Sequence, residues 1–98
     1  MPIFSYNNLI KVMANFDNLV FVDHPRLKGI MSKYRFNNGK EISIVAGEGL
    51  YSNSRNGLRA AIDNPDDVSS FEVMFDGEVE GWCTRERINK IFEQNEML

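Results

Sequence analysis

A chain of 98 residues, 43% apolar and 26% charged, suffices for one folded domain and excludes a second core. Its single cysteine, Cys83, excludes an intramolecular disulfide, and no apolar run reaches the roughly 18 residues of a membrane span. The net charge of −3 is small, but its distribution along the chain is uneven. The cysteine count and the lack of a basic-then-apolar N-terminus lead to the expectation of a soluble protein in a reducing, cytoplasmic setting.

Leu9, Val12, Met13 and Phe16 recur at helical spacing, and Ser5 stands where it can cap that helix. Asp17-Asn18 punctuates. Leu19 to Val22 reads as a short strand or apolar tether, stopped by Asp23-His24-Pro25. The clearest element is GIMSKYRFNNGKEISIVA, residues 29 to 46. A two-residue Asn38-Gly39 turn would pair Arg35 with Ile42 and Lys33 with Ile44, mixing charge into the apolar face. A three-residue loop, Asn37-Asn38-Gly39, pairs Phe36 with Lys40, Tyr34 with Ile42 and Ser32 with Ile44. The second register gathers Ile30, Tyr34, Phe36, Ile42 and Ile44 on one face, with Gly39 left-handed in a bulge.

GEGLYSNSRNG reads as a loop around Leu50-Tyr51, while residues 58–62 fit a helical turn and a short strand equally. Asn64 to Asp67 is a turn. Phe71, Val73 and Phe75 alternate at strand period, and Asp76-Gly77 supplies a hairpin turn. Thr84 then caps a final helix with Ile88, Ile91 and Phe92 on one face. The order predicts a single α+β domain over residues 1–98: a small antiparallel sheet with an N-terminal and a C-terminal helix packed on one face.

The stretches SIVAGEGLYSNSRNG, FEVMFDG and EGWCTRERINKIF, in this order, resemble a group of small uncharacterised proteins encoded by phages and prophages. The likeness runs over about residues 34–93 and rests on a strand ending near a Gly-Leu-Tyr-Ser loop, an F-E-V strand, and a Gly-aromatic step into a helix. What it implies is an origin and, with it, a small protein that binds and alters a host protein.

No catalytic constellation stands out. His24 and Cys83 are the only His and Cys, and they read as a loop residue and a small buried hydrophobe. No zinc set can be drawn from Cys and His alone, and Asp63, Asp66 and Asp67 lack the spacing of a calcium loop. GEGLYSNSRNG lacks the Gly-Lys-Ser/Thr ending of a phosphate loop. The expectation is therefore no enzyme, no metal and no cofactor.

Charge is more informative. Residues 1–59 carry eight Lys or Arg and four acids, whereas residues 60–84 carry seven acids and no base. Such a segment repels nucleic acid and can steer a basic protein surface. The competing reading sets Lys33 and Arg35 opposite Glu72 across the sheet, so that the charges serve the fold. The expected function is a non-enzymatic, phage-type binding protein that inhibits or redirects a host protein through an acidic face. A nucleic-acid-handling defence complex fits as target, in an anti-CRISPR or anti-restriction role. The partner-binding residues expected are Tyr51, Arg55, Asp76, Glu78, Glu80 and Trp82. Trp82 reads as core or interface, Tyr51 as an exposed anchor or a plug on the core, and a homodimer stays open. The alternative is a nucleic-acid-binding accessory protein using Lys28, Lys33, Arg35 and Lys40 with Tyr34 and Phe36.

Overall fold

The structure, a computed structural model, describes residues 14–55 and 64–96. The helix expected from Ser5 and the segment 58–62 fall almost wholly outside these residues. The first described element is a 3-10 turn, Phe16–Asn18. Asn15 starts it: its Oδ1 accepts from the Asp17 N–H (2.8 Å), while the Asn15 N–H donates to Asn18 Oδ1 (2.9 Å). Of the two helices of the sequence reading, the described residues show the C-terminal one, and the N-terminal one lies almost wholly outside them.

Among the described residues six strands follow: β1 (Val22–Asp23), β2 (Gly29–Arg35), β3 (Glu41–Gly47), β4 (Asn53–Ser54), β5 (Val68–Phe75) and β6 (Glu78–Cys83). The spatial order is β1-β2-β3-β5, with β4 and β6 each also paired with β5, and every pairing is antiparallel. Helix α1 (Arg85–Glu96) closes one face.

The β2–β3 register is the one that separates charge from apolar side chains: Tyr34 opposes Ile42, Ser32 opposes Ile44, and the Phe36 N–H donates to Lys40 O at 2.8 Å. Gly39 has φ +88°, as the bulged three-residue loop requires. Ile30, Phe36, Ile42 and Ile44 are buried, and Tyr34 is partly buried against them. On β5, Phe71 and Val73 are buried opposite Cys83 and Ile44. Of residues 19–22, read as a short strand or apolar tether, only Val22 is strand: it pairs with Met31, Asp23 pairs with Ile30, and the chain turns at His24.

Thr84 caps α1 as expected, its Oγ1 accepting from the Arg87 N–H at 3.1 Å. Ile88, Ile91, Phe92 and Asn95 follow at i, i+3, i+4, i+7 and are buried. Phe92 lies 5.1 Å from the Tyr34 ring and 5.0 Å from the Phe36 ring, so the helix packs on the apolar face of the hairpin. Polar clamps hold its C-terminal end: Tyr34 OH donates to Glu96 Oε2 (3.0 Å) and Asn38 Nδ2 to Asn95 Oδ1 (2.8 Å).

Candidate functional site

The site begins with a break in strand alternation. Phe71 opposes Cys83 and Val73 opposes Glu80, so β6 spends one extra residue, Gly81-Trp82, against Glu72. Trp82 takes up the bulge at φ +53°, a left-handed conformation that costs an L-residue roughly 1–2 kcal/mol. The residue is 57% exposed. A tryptophan placed at positive φ and left in solvent serves no packing purpose that a smaller residue could not serve better.

The loop after β3 completes the arrangement. The Ser52 N–H donates to Leu50 O at 2.8 Å, a three-residue turn with Tyr51 at its tip. Ser52 Oγ accepts from the Gly47 N–H (3.1 Å) and donates back to Gly47 O (3.3 Å). The Tyr51 N–H donates to Glu72 Oε1 at 2.9 Å, and Tyr51 O accepts from the Trp82 N–H at 2.9 Å. Gly81 makes room, because a Cβ there would stand 2.7 Å from Tyr51 Cβ. The Tyr51 and Trp82 rings meet at 5.1 Å and 43°, and Tyr51 is 56% exposed. Together they border an open groove of about 670 Å³ that Arg55 and Ser69 also line.

The predicted partner residues thus separate into two groups. Tyr51, Arg55 and Trp82 share the groove. Asp76 and Glu78 stand at the other end of β6, where Asp76 (φ +53°) and Gly77 (φ +83°) form the two-residue turn. Glu80 lies between them, bound two-pronged by Arg87, with Nε to Oε2 at 2.9 Å and Nη2 to Oε1 at 3.0 Å. That hydrogen bond holds the Glu80 carboxyl below its usual range.

Glu72 does not face Lys33 and Arg35. Strand β3 intervenes: Lys33 opposes Ser43, Arg35 opposes Glu41, and Glu72 opposes Val45. The acids that do find bases use other ones, Asp76 with Lys40 (3.4 Å) and Glu80 with Arg87. Nor do the basic and aromatic residues of β2 share a surface. Tyr34 and Phe36 pack under α1, so alternation sends Lys33 and Arg35 to the opposite face.

Sequence reading missed Gly81, whose lack of a Cβ admits Tyr51, and Glu72 as the brace of the Tyr51 backbone. The only signal for them was the Gly-Trp dipeptide interrupting an alternating strand.

His24 turns the chain after β1, its Nδ1 accepting from the Arg26 and Leu27 N–H groups at 3.1 and 3.2 Å. Cys83 ends β6, four strand spacings away, or about 19 Å. Cys83 is 2% exposed, and burial, aided by Glu80, pushes its thiol from 9.0 up to about 12. A raised folded-state pKa ties stability to the neutral thiol. That contribution is intact below pH 9.0 and is lost as pH rises toward about 12. Because the thiol is buried and its pKa raised, a thiol reagent at about pH 8 should label the native chain very slowly and the unfolded chain at once. Rapid labelling of folded protein would show that Cys83 is not packed as described. Among the described residues no group of His, Cys, Asp and Glu could hold a metal ion. No family model, curated protein or solved structure matches the chain.

Proposed function

We propose that the protein works by binding another protein, with Tyr51 and Trp82 as the anchoring contact and the acidic β5–β6 hairpin as the rim that steers encounter. One observation carries the reading: Trp82 is held in a left-handed backbone position and stacked on Tyr51, yet more than half of it remains in solvent. Tyrosine and tryptophan supply much of the binding energy at protein interfaces because they bury large rigid surfaces at small entropic cost. Glu78 and the neighbouring carboxylates favour a partner with a basic surface. A host nucleic-acid-handling defence complex, engaged by a phage-derived inhibitor, has such a surface in its nucleic-acid groove.

The test is to replace Trp82 with glycine. Relief of the left-handed strain offsets most of the glycine's extra backbone entropy, roughly 0.5–1 kcal/mol, so stability should stay within about 1 kcal/mol of the parent. A core tryptophan would cost about 3–5 kcal/mol. In a salt-graded pull-down from bacterial lysate, a stoichiometric protein partner should be retained by the parent chain and lost by Trp82→Gly and Tyr51→Ala. Retention of the partner by both variants, or nuclease-sensitive recovery in its place, would overturn the proposal.

A further inference from the structure

Strand β6 has an outer edge, and its chemistry selects what can pair with it. In a two-residue hairpin the residues flanking the turn exchange backbone hydrogen bonds, so Phe75 bonds Glu78 and, two residues on, Val73 bonds Glu80. The N–H and C=O of Val79 therefore point away from β5. No described residue meets them. Further along the same edge, the Trp82 N–H is already taken by Tyr51 O, which marks where the open stretch ends. At the other edge of the sheet, β1 is only two residues long and turns away at His24.

Both sides of this edge offer contacts for alternating side chains. On the α1 side a groove of about 330 Å³ has Val73, Phe75 and Ile91 in its wall, Arg87 already paired with Glu80, and Glu78 at its rim with no base of its own among the described residues. On the other side Val79 and Met74, opposite one another, are 52% and 51% exposed. We infer that β6 accepts an extended segment of a partner protein as an added strand, with Lys or Arg on the α1 side and apolar residues on the other. The long aliphatic stem of a Lys or Arg suits the groove wall, and its charge meets Glu78 at the rim. A second copy offers no such base. Antiparallel pairing of β6 with itself about Val79 would set Glu78 opposite the partner's Glu80, a carboxylate already held by Arg87, so Glu78 would gain no cation.

This mode rests on the protein-binding reading but can fail without it. The probes are three synthetic twelve-residue peptides, one alternating Lys and Val, one alternating Glu and Val, and one with the Lys/Val composition in scrambled order. Binding is read from Trp82 fluorescence, Trp82 being the one tryptophan in the chain, and from amide exchange at Val79 by NMR. The alternating Lys/Val peptide should bind, slow exchange of the Val79 amide about tenfold or more, and weaken as salt is raised. Glu78→Lys, at an exposed position, should weaken that peptide about tenfold and admit the Glu/Val peptide instead. Val79→Pro, which removes an outward N–H that the fold does not use, should abolish peptide binding read from Trp82 fluorescence while circular dichroism stays native.

Absence of binding, binding that leaves Val79 exchange unchanged, or equal binding of all three peptides would overturn strand addition. So would concentration-dependent protection of Val79 without peptide, which would assign the edge to a second copy. If the lysate partner still depends on Trp82 in any of these cases, the protein-binding proposal stands and only the added strand falls.

Discussion

Alanine at Gly47 is expected to destabilise the protein by about 2–3 kcal/mol, well above the roughly 1 kcal/mol of an average substitution. Gly47 and Gly29 are cross-strand partners where β2 and β3 end. A Cβ on Gly47 would stand 2.5 Å from Lys28 O and 2.8 Å from Gly29 Cα, and one on Gly29 would stand 2.2 Å from Ala46 O and 2.8 Å from Gly47 Cα. All of these are backbone atoms, so the strands themselves must separate. Gly29→Ala should therefore cost a similar amount. The double variant should cost clearly less than the sum, since one separation of the strands relieves both clashes. Urea denaturation of the two single variants and the double variant checks this. Additive losses would mean that each methyl is accommodated independently. A functional consequence follows, because Gly47 also anchors Ser52 in the Tyr51 loop: strand separation there should loosen the Tyr51–Trp82 pair and weaken partner binding with it.

The second large effect is expected at Arg85, the first residue of α1. Its guanidinium donates to Val68 O at 2.9 Å and to Pro65 O at 2.6 Å. It also lies over the Phe16 ring at 4.9 Å and the Phe71 ring at 5.3 Å. One side chain thus joins the N-terminal turn, the start of β5 and the helix. Hydrogen bonds to a charged donor contribute about 1.5–3 kcal/mol each and a partly desolvated cation on an aromatic face about 0.5–2 kcal/mol. These do not add fully, and Arg85→Ala should lose about 3 kcal/mol. Arg85→Lys should recover only part of it, because an ammonium cannot reproduce the planar two-pronged donation. Thermal melts of both variants decide: a loss under about 1 kcal/mol for alanine would mean that the two carbonyls are satisfied without Arg85.

What the sequence by itself determined was local. The β2–β3 register followed from keeping Lys33 and Arg35 off the apolar face and from Gly39 at the bulge. The Asp76-Gly77 turn and the Thr84 cap followed equally from residues within four positions of one another. For the β2–β3 loop the competing register mixes charge into the apolar face, and for the turn and the cap the side chains that suit the backbone stand at adjacent positions, so a few neighbours suffice to choose.

Tertiary structure decided the rest. That β3 lies between β2 and β5 is a choice of strand order, and it is what separates Lys33 and Arg35 from Glu72. The Glu80–Arg87 pair required β6 and α1 to pack together, and the acidic run alone could not show which of its charges would be neutralised. Tyr51 and Trp82, thirty-one positions apart, meet only because β4 and β6 both pair with β5 and Gly81 leaves space between them. Hydropathy made both residues eligible for core or surface. Their exposure was set by the bulge at Gly81-Trp82, a local distortion whose position depends on the strand beside it.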